Sequence, residues 1–191
     1  MDSHSQYGTD SKGIYKHSRG LGKDLENDLN RSNATYRIMD KAIIHKKPTP
    51  ISVVKVSYPS RSAAKITEAY YNIPSTTDYC GIYNGFYIDF EAKETSHLTR
   101  FNLSLIHQHQ YDHLLSIKKH GGIAFLVVRL TSLKQDYLIW IEDLEKYMSK
   151  SSKQSISFSW IQQHAHPIPY RYKIPCDYLS LVESKMQKEN L

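Results

Sequence analysis

Apolar positions change their spacing along the chain, and each change marks an element. Leu21, Leu25, Leu29 and Ile38 recur near helical intervals, with Arg31 and Arg37 on the more polar positions, so a helix is predicted, broken near Ser32. The short run AIIHKK is bounded by PTP, and the β-branched run ISVVKVSY ends at Pro59, which predicts two strands joined by a proline-containing excursion. In RSAAKITEAYYN, Ala64, Ile66, Ala69 and Tyr70 fit helical spacing and the segment stops before Pro74, so a second helix is expected.

STTDYCGIYNGFYIDFEAKET, from Ser75 to Thr95, then reads as two strands around Asn84-Gly85, the pair that a type I′ turn favours because both central residues need positive φ. Beyond it, Leu103, Ile106, Gln110, Leu114 and Ile117 keep helical spacing until two lysines and paired glycines close the segment. IAFLVVRL is the clearest buried strand, and DYLIWI follows as another. A helix from about Glu142, a Ser-rich loop, a short helix at ISFSWIQQHA and a last helix from Asp177 complete the order, with HPIPYRYKIP as an extended linker. This order predicts an α/β fold with a mixed β-sheet flanked by helices.

At 191 residues one domain is expected. The start, residues 1–19, has almost no aliphatic residues and is expected to be a flexible basic arm, with the domain over 20–187 and a tail at 188–191. A net charge of +6 points to a polyanionic partner, nucleic acid before anionic membrane. No apolar run is long enough to span a bilayer and the start lacks a secretory core, so a cytoplasmic protein with no membrane association is expected. Cys80 and Cys176 then read as reduced thiols.

The charges of the hairpin are its chemistry. If Asn84 and Gly85 are the turn, Asp78 lies opposite Glu91 and Thr76 opposite Lys93, so these four form one polar cluster on one face, with Asp89 one step nearer the turn. Facing carboxylates repel unless one is protonated or a cation lies between them. A hard oxygen donor set suits Mg²⁺, with Mn²⁺ as a substitute, and Lys93 adds a cation beside it. A solvated hairpin face with a surface Glu–Lys salt bridge is the plainer alternative.

Asp78 followed by Glu91-Ala92-Lys93 resembles the Asp…Glu-x-Lys signature of the PD-(D/E)XK nuclease superfamily, with Thr77 at the proline position. More specifically, IIHKKPTPISVVKVSYPSRSAAKITEAYY, PSTTDYCGIYNGFYIDFEAKET, HQHQYDHL, GGIAFLVVRLTSL and YLSLVE, in this order, are similar to the RecU family of bacterial Holliday junction resolvases. The resemblance covers Arg19 to about Glu183. It implies a restriction-endonuclease-like nuclease fold with a projecting basic stalk at about 46–62. It implies that Thr76, Asp78, Glu91 and Gln110 hold Mg²⁺ and that Lys93 stabilises the transition state, with Asp78, Glu91 and Lys93 as the catalytic set. The activity implied is metal-dependent endonucleolytic resolution of four-way DNA junctions by paired symmetric cuts, in recombination and repair. A homodimer follows from the family and the two-fold symmetry of the cuts, with recombinase or branch-migration proteins as further partners. An inactive junction-binding scaffold and a sequence-specific duplex endonuclease are the alternatives.

Cations elsewhere suit a DNA partner: Arg31 and Arg37, with Lys46, Lys47, Lys55 and Arg61 around the stalk, against a plain reading as solvated basic surface. Glu68 is an auxiliary acid on the predicted second helix or simply a helix-surface acid. His109 and His113, one helical turn apart, suggest zinc but lack a third ligand. Tyr70, Tyr71, Tyr79, Tyr83 and Tyr87 read either as packing or as stacking platforms for bases.

Overall fold

The computed structural model describes residues 23–72 and 76–189, the Lys23 and Arg61 side chains excepted. In chain order these form α1 (Lys23–Ile38), β1 (Ile43–Lys46), β2 (Ile51–Ser57), β3 (Lys65–Tyr71), β4 (Tyr79–Tyr83), β5 (Phe86–Thr95), β6 (Arg100–Asn102), α2 (Gln108–Lys119), β7 (Ile123–Leu130), β8 (Gln135–Trp140), α3 (Ile141–Lys150), β9 (Ser155–Ser157), α4 (Phe158–His164), β10 (His166–Pro167) and α5 (Leu179–Glu189). The expected arm over 1–19 lies outside the described residues.

The apolar run IAFLVVRL becomes β7, a central strand of a six-stranded sheet ordered β1-β4-β5-β7-β8-β10. All of β7 except Arg129 is buried, as a strand covered on both faces must be. β5 and β7 are parallel, and the crossover between them contains α2; the other pairings in this sheet are antiparallel. Alternation along the strands divides the core. Phe90, Phe125 and Val127 pack with Leu25, Leu29 and Tyr36 of α1 and Val182 of α5, and Phe90 lies stacked between Tyr79 and Phe125, at 4.8 Å from each. Ala124, Leu126 and Val128 face the other way, toward Leu114 of α2, Leu144 of α3 and Ile161 of α4. Each large side chain withdrawn from water contributes roughly 1.5–3 kcal/mol.

The hairpin turns at Asn84 (φ 48°) and Gly85 (φ 83°), and Tyr83 pairs with Phe86 as the turn requires. Gly81 is fixed by proximity: a Cβ there would lie 2.0 Å from the Ile43 carbonyl oxygen of β1. The parallel register sets Asp89, Glu91 and Lys93 beside Ala124, Leu126 and Val128, on the face that α2 covers.

Two expectations are corrected. α1 is unbroken at Ser32, whose hydroxyl donates to the Asp28 carbonyl one turn back at 2.9 Å and accepts from the Cys176 amide at 3.0 Å, so the serine docks the helix instead of ending it. RSAAKITEAYYN forms no α-helix. It contributes β3, which pairs with β2 in a separate two-stranded ribbon, Ile51 opposite Tyr71 and Val56 opposite Ile66. Ile66, Thr67, Tyr70 and Tyr71 suit a pleated surface, and with every β3 residue exposed no buried helical stripe exists to reward the spacing. The ribbon reaches from Ile51 to Tyr71 and overlaps the segment 46–62 read as a stalk. β1 and β2 are strands as expected, but they belong to different sheets. Among the described residues no helix is long and apolar enough to cross a membrane.

Candidate active site

β5 carries the acids to the α2 face, and the arm entering β4 brings Asp78 to meet them. Beyond the last ladder pair, Tyr79 with Phe90, the register continues: the Asp78 amide donates to Glu91 Oε2 at 3.1 Å and the Ala92 amide donates to Asp78 Oδ2 at 3.2 Å. Glu91 is 1% exposed, and its Oε1 accepts from Lys93 Nζ at 2.7 Å and from Gln110 Nε2 at 2.8 Å. Gln110 is held in turn because its Oε1 accepts the His107 amide at 3.1 Å, closing the first turn of α2. Thr76 is half-buried two positions before Asp78. Asp78, Glu91, Lys93 and Gln110 therefore converge from β4's entry arm, β5 and α2.

The two carboxylates stand side by side. Burial, and then the negative charge of Asp78, push the Glu91 carboxyl up to about 7, although Lys93 pulls it down. The pair thus carries more negative charge than Lys93 alone offsets, in a setting that also offers a half-exposed approach through Asp78.

A second cluster adjoins the first. Asp89, on the same face of β5, is 0% exposed; its Oδ2 accepts from Lys47 Nζ at 2.8 Å and from the Tyr87 hydroxyl at 3.0 Å, and lies 3.2 Å from His113 Nε2. Its Oδ1 accepts from the Thr77 hydroxyl, which itself accepts from Lys47 Nζ at 2.9 Å. Asp89 shares the face of Glu91 and Lys93, as the register predicts. Its burial and its partners were not legible, since Lys47, Thr77 and His113 come from three other segments.

A family model described as recombination protein U matches residues 20–184. The chain belongs to the RecU family. Among its relatives, the Holliday junction resolvase RecU of Staphylococcus epidermidis is 45% identical over 174 residues, covering 90% of this chain and 84% of that protein. The Holliday junction resolvase RecU of Leuconostoc mesenteroides is 44% identical over 181 residues, covering 94% of this chain and 88% of that protein. Among solved structures, that of Archaeoglobus fulgidus Hjc, a Holliday junction resolvase from an archaeal hyperthermophile, is 12% identical with a TM-score of 0.42, covering 76% of this chain and 94% of that chain.

The remaining residues singled out in this RecU chain are scattered. Arg31 and Arg37 are exposed on α1, and Lys55 is exposed on the ribbon. Lys46 pairs with Glu26 at 2.7 Å while staying about one-third exposed. Lys47 turns inward, its ammonium bonded to Asp89 at 2.8 Å and to the Thr77 hydroxyl at 2.9 Å. The Arg61 side chain is outside the described set. Glu68 lies on exposed β3, not on a helix, and accepts from the Tyr70 hydroxyl at 3.1 Å, away from Asp78 and Glu91. His109 stacks on His107 at 5.5 Å while His113 serves Asp89, and among the described residues no three His, Cys, Asp or Glu side chains gather as a zinc site needs. Tyr79 and Tyr83 are packed in the core, whereas Tyr70 and Tyr71 stand exposed on the ribbon. Both cysteines are free thiols.

Proposed function

We propose that this RecU-family chain is a divalent-metal-dependent endodeoxyribonuclease that resolves four-way DNA junctions, acting in the cytoplasm as a homodimer. The observation that carries the reading is the Asp78–Glu91 pair beside Lys93 in a chain whose relatives are named Holliday junction resolvases. The donor chemistry fits a hard dication: two adjacent carboxylates with no thiolate among them, one raised to about 7 by burial and then by its neighbour's charge, and the Thr76 hydroxyl on the same arm. Asp78, Glu91 and Thr76 would hold Mg²⁺, or Mn²⁺ in its place. Gln110 serves that ion only by giving up its bond to Glu91 or through one of the ion's waters, because its amide nitrogen faces the carboxylate.

Bound there, the ion supplies Lewis-acid chemistry, lowering the pKa of water and offsetting charge on phosphate oxygens. The chain's own residues do the rest. Glu91 must shed its proton to bind the ion, and Lys93, 19% exposed, stays at hand to meet negative charge that grows on the phosphate in the transition state. Gln110 and the Ala92 amide orient Glu91 and Asp78 so that neither reorganises during the reaction. Exposed Lys55 on the ribbon and Arg31 and Arg37 on α1 suit phosphate contacts that carry no sequence information. Two equivalent cuts in a junction call for two sites related by a two-fold axis, which a homodimer supplies.

A synthetic four-way junction incubated with Mg²⁺ tests the reading. Paired symmetric nicks by the wild type, lost in Asp78→Ala and in EDTA, are expected. Binding without nicking, identical in wild type and variant, sinks it; equal cutting of a matched linear duplex indicates a sequence-specific endonuclease instead. Sedimentation of the free protein checks the dimer.

A further inference from the structure

The Asp89 cluster is expensive. A fully buried carboxylate costs several kcal/mol unless it is paired, and an apolar pair in the same space would hold the fold equally well. What the charged pair adds is position. Lys47 is the last residue before Pro48, where the chain leaves the body for the ribbon, and Thr77 is on the arm by which it returns. Lys47 joins these two arms twice, its ammonium to the Thr77 hydroxyl at 2.9 Å and its amide to the Asp78 carbonyl at 2.7 Å, and ties them to β5 through its ammonium to Asp89 at 2.8 Å. Further out, the Asn72 amide donates to the Pro50 carbonyl at 3.0 Å and the Ser52 hydroxyl to Asn72 Oδ1 at 2.7 Å, so the root of the ribbon is closed. Asp78 is thereby gripped from both sides, by Glu91 and Ala92 in front and by Lys47 behind. The same Asp89 carboxylate takes His113 of α2, one turn after Gln110.

We propose that Lys47 and Asp89 are a positioning pair that fixes the Asp78 arm against Glu91, and that Lys47 serves the reaction this way and not as a phosphate contact. Two of the three ammonium donors of Lys47 are committed inside the protein. The pair rests on the reading of Asp78 and Glu91 as cation ligands. It acts on the geometry of the ligands, so its loss registers in affinity for the cation even when no DNA is present.

Titration calorimetry of the full chain with Mn²⁺, without DNA, measures that affinity; gel shift in EDTA measures junction binding, and single-turnover cleavage at saturating junction measures rate. Lys47→Met is expected to weaken Mn²⁺ binding about 10-fold and to slow single-turnover cleavage to a similar degree, with junction affinity within about twofold of wild type. Thr77→Val keeps both charges and removes only the hydroxyl, so it serves where Lys47→Met fails to fold; a loss of Mn²⁺ affinity of about fivefold is expected, smaller than the roughly 10-fold that follows loss of a charged partner. Unchanged Mn²⁺ affinity in the folded variant overturns the pair. So does a variant that binds the junction more weakly, with a lower salt dependence, but cuts at the wild-type rate once saturated, because that is the behaviour of a phosphate contact. A wild type that binds no Mn²⁺, or a Glu91→Ala variant that binds it as tightly as wild type, overturns the cation reading itself, a result distinct from either of these.

Discussion

Two carboxylates lie on one face of β5, two residues apart and both withdrawn from solvent, Glu91 at 1% and Asp89 at 0% exposure. Asp89 is surrounded by donors: an ammonium, two hydroxyls and an imidazole. Glu91 also accepts from an ammonium and a side-chain amide, but it shares its surroundings with a second carboxylate, and burial and then that charge raise its proton affinity. The difference teaches how a buried acid declares its use. Where partners satisfy the charge, the acid holds parts together; where a second carboxylate adjoins it, the acid has reason to take a cation, which is the role proposed for Glu91.

The largest contrast should appear on truncating the short-changed acid. Glu91→Ala is expected to lower single-turnover junction cleavage by about 10³-fold, roughly 4 kcal/mol of transition-state stabilisation. Its folded state should survive, since the mutation removes a repelling neighbour of Asp78; circular dichroism melting without metal checks this. A variant that melts far below wild type would place Glu91 with Asp89 among the structural acids.

Next comes the satisfied acid, deprived of its cation. Lys47→Ala leaves Asp89 buried without its ammonium, and about 3 kcal/mol of stability should be lost in urea unfolding. Adding Asp89→Asn to that variant removes the stranded charge and should restore most of the loss. Failure of the second mutation to restore anything would mean that Lys47 stabilises through its stem and backbone, not through the pair.

Titration probes Glu91 further. The Glu91 carboxyl sits near 7 in the folded chain, raised from 4.5, chiefly by burial and then by Asp78. Between those pH values the folded state keeps a proton that the unfolded state has released, so stability falls as pH rises through the window and the whole penalty is present above 7. Glu91→Gln removes the penalty. It should stabilise the metal-free protein by roughly 3 kcal/mol at pH 8, the pull of Lys93 being already contained in the shift, and by nothing at pH 4. An equal gain at both pH values would detach the effect from Glu91 ionisation.

How much of this was legible follows from where the information lies. Asn84-Gly85 sets the hairpin register by local turn chemistry, and the register alone brings Asp78 to Glu91; the buried run of β7 and the helical spacing ending at Gly121-Gly122 were equally local. Gln110 kept the helical spacing of α2, but its place in the site came only through family resemblance, because spacing assigns a residue to a face without saying what that face meets. The β3 segment was misread because Ala64, Ile66, Ala69 and Tyr70 mimic a helical stripe, and in a ribbon with little core beneath it burial does not arbitrate. Asp89 was legible as a member of the face but not as a buried one. Lys47 and His113 reach it from 42 and 24 residues away, a convergence that no spacing rule contains.

Redundancy around Asp89 sets the smallest effect. The Tyr87 hydroxyl donates to Asp89 Oδ2 at 3.0 Å, but that same oxygen also receives Lys47 and adjoins His113, so the carboxylate keeps partners when the hydroxyl goes. The ring of Tyr87 is partly exposed, and phenylalanine retains its packing. Burial, and then hydrogen bonding to Cys80 and the charge of Asp89, hold the phenol protonated far above neutral pH, so Tyr87 acts purely as a donor there. Tyr87→Phe should therefore cost only about 1 kcal/mol in urea unfolding, the worth of one charge-assisted bond among several. A loss rivalling that of Lys47→Ala would show that Asp89 is poised as narrowly as Glu91, and the contrast between the two acids would shrink to one of partner identity alone.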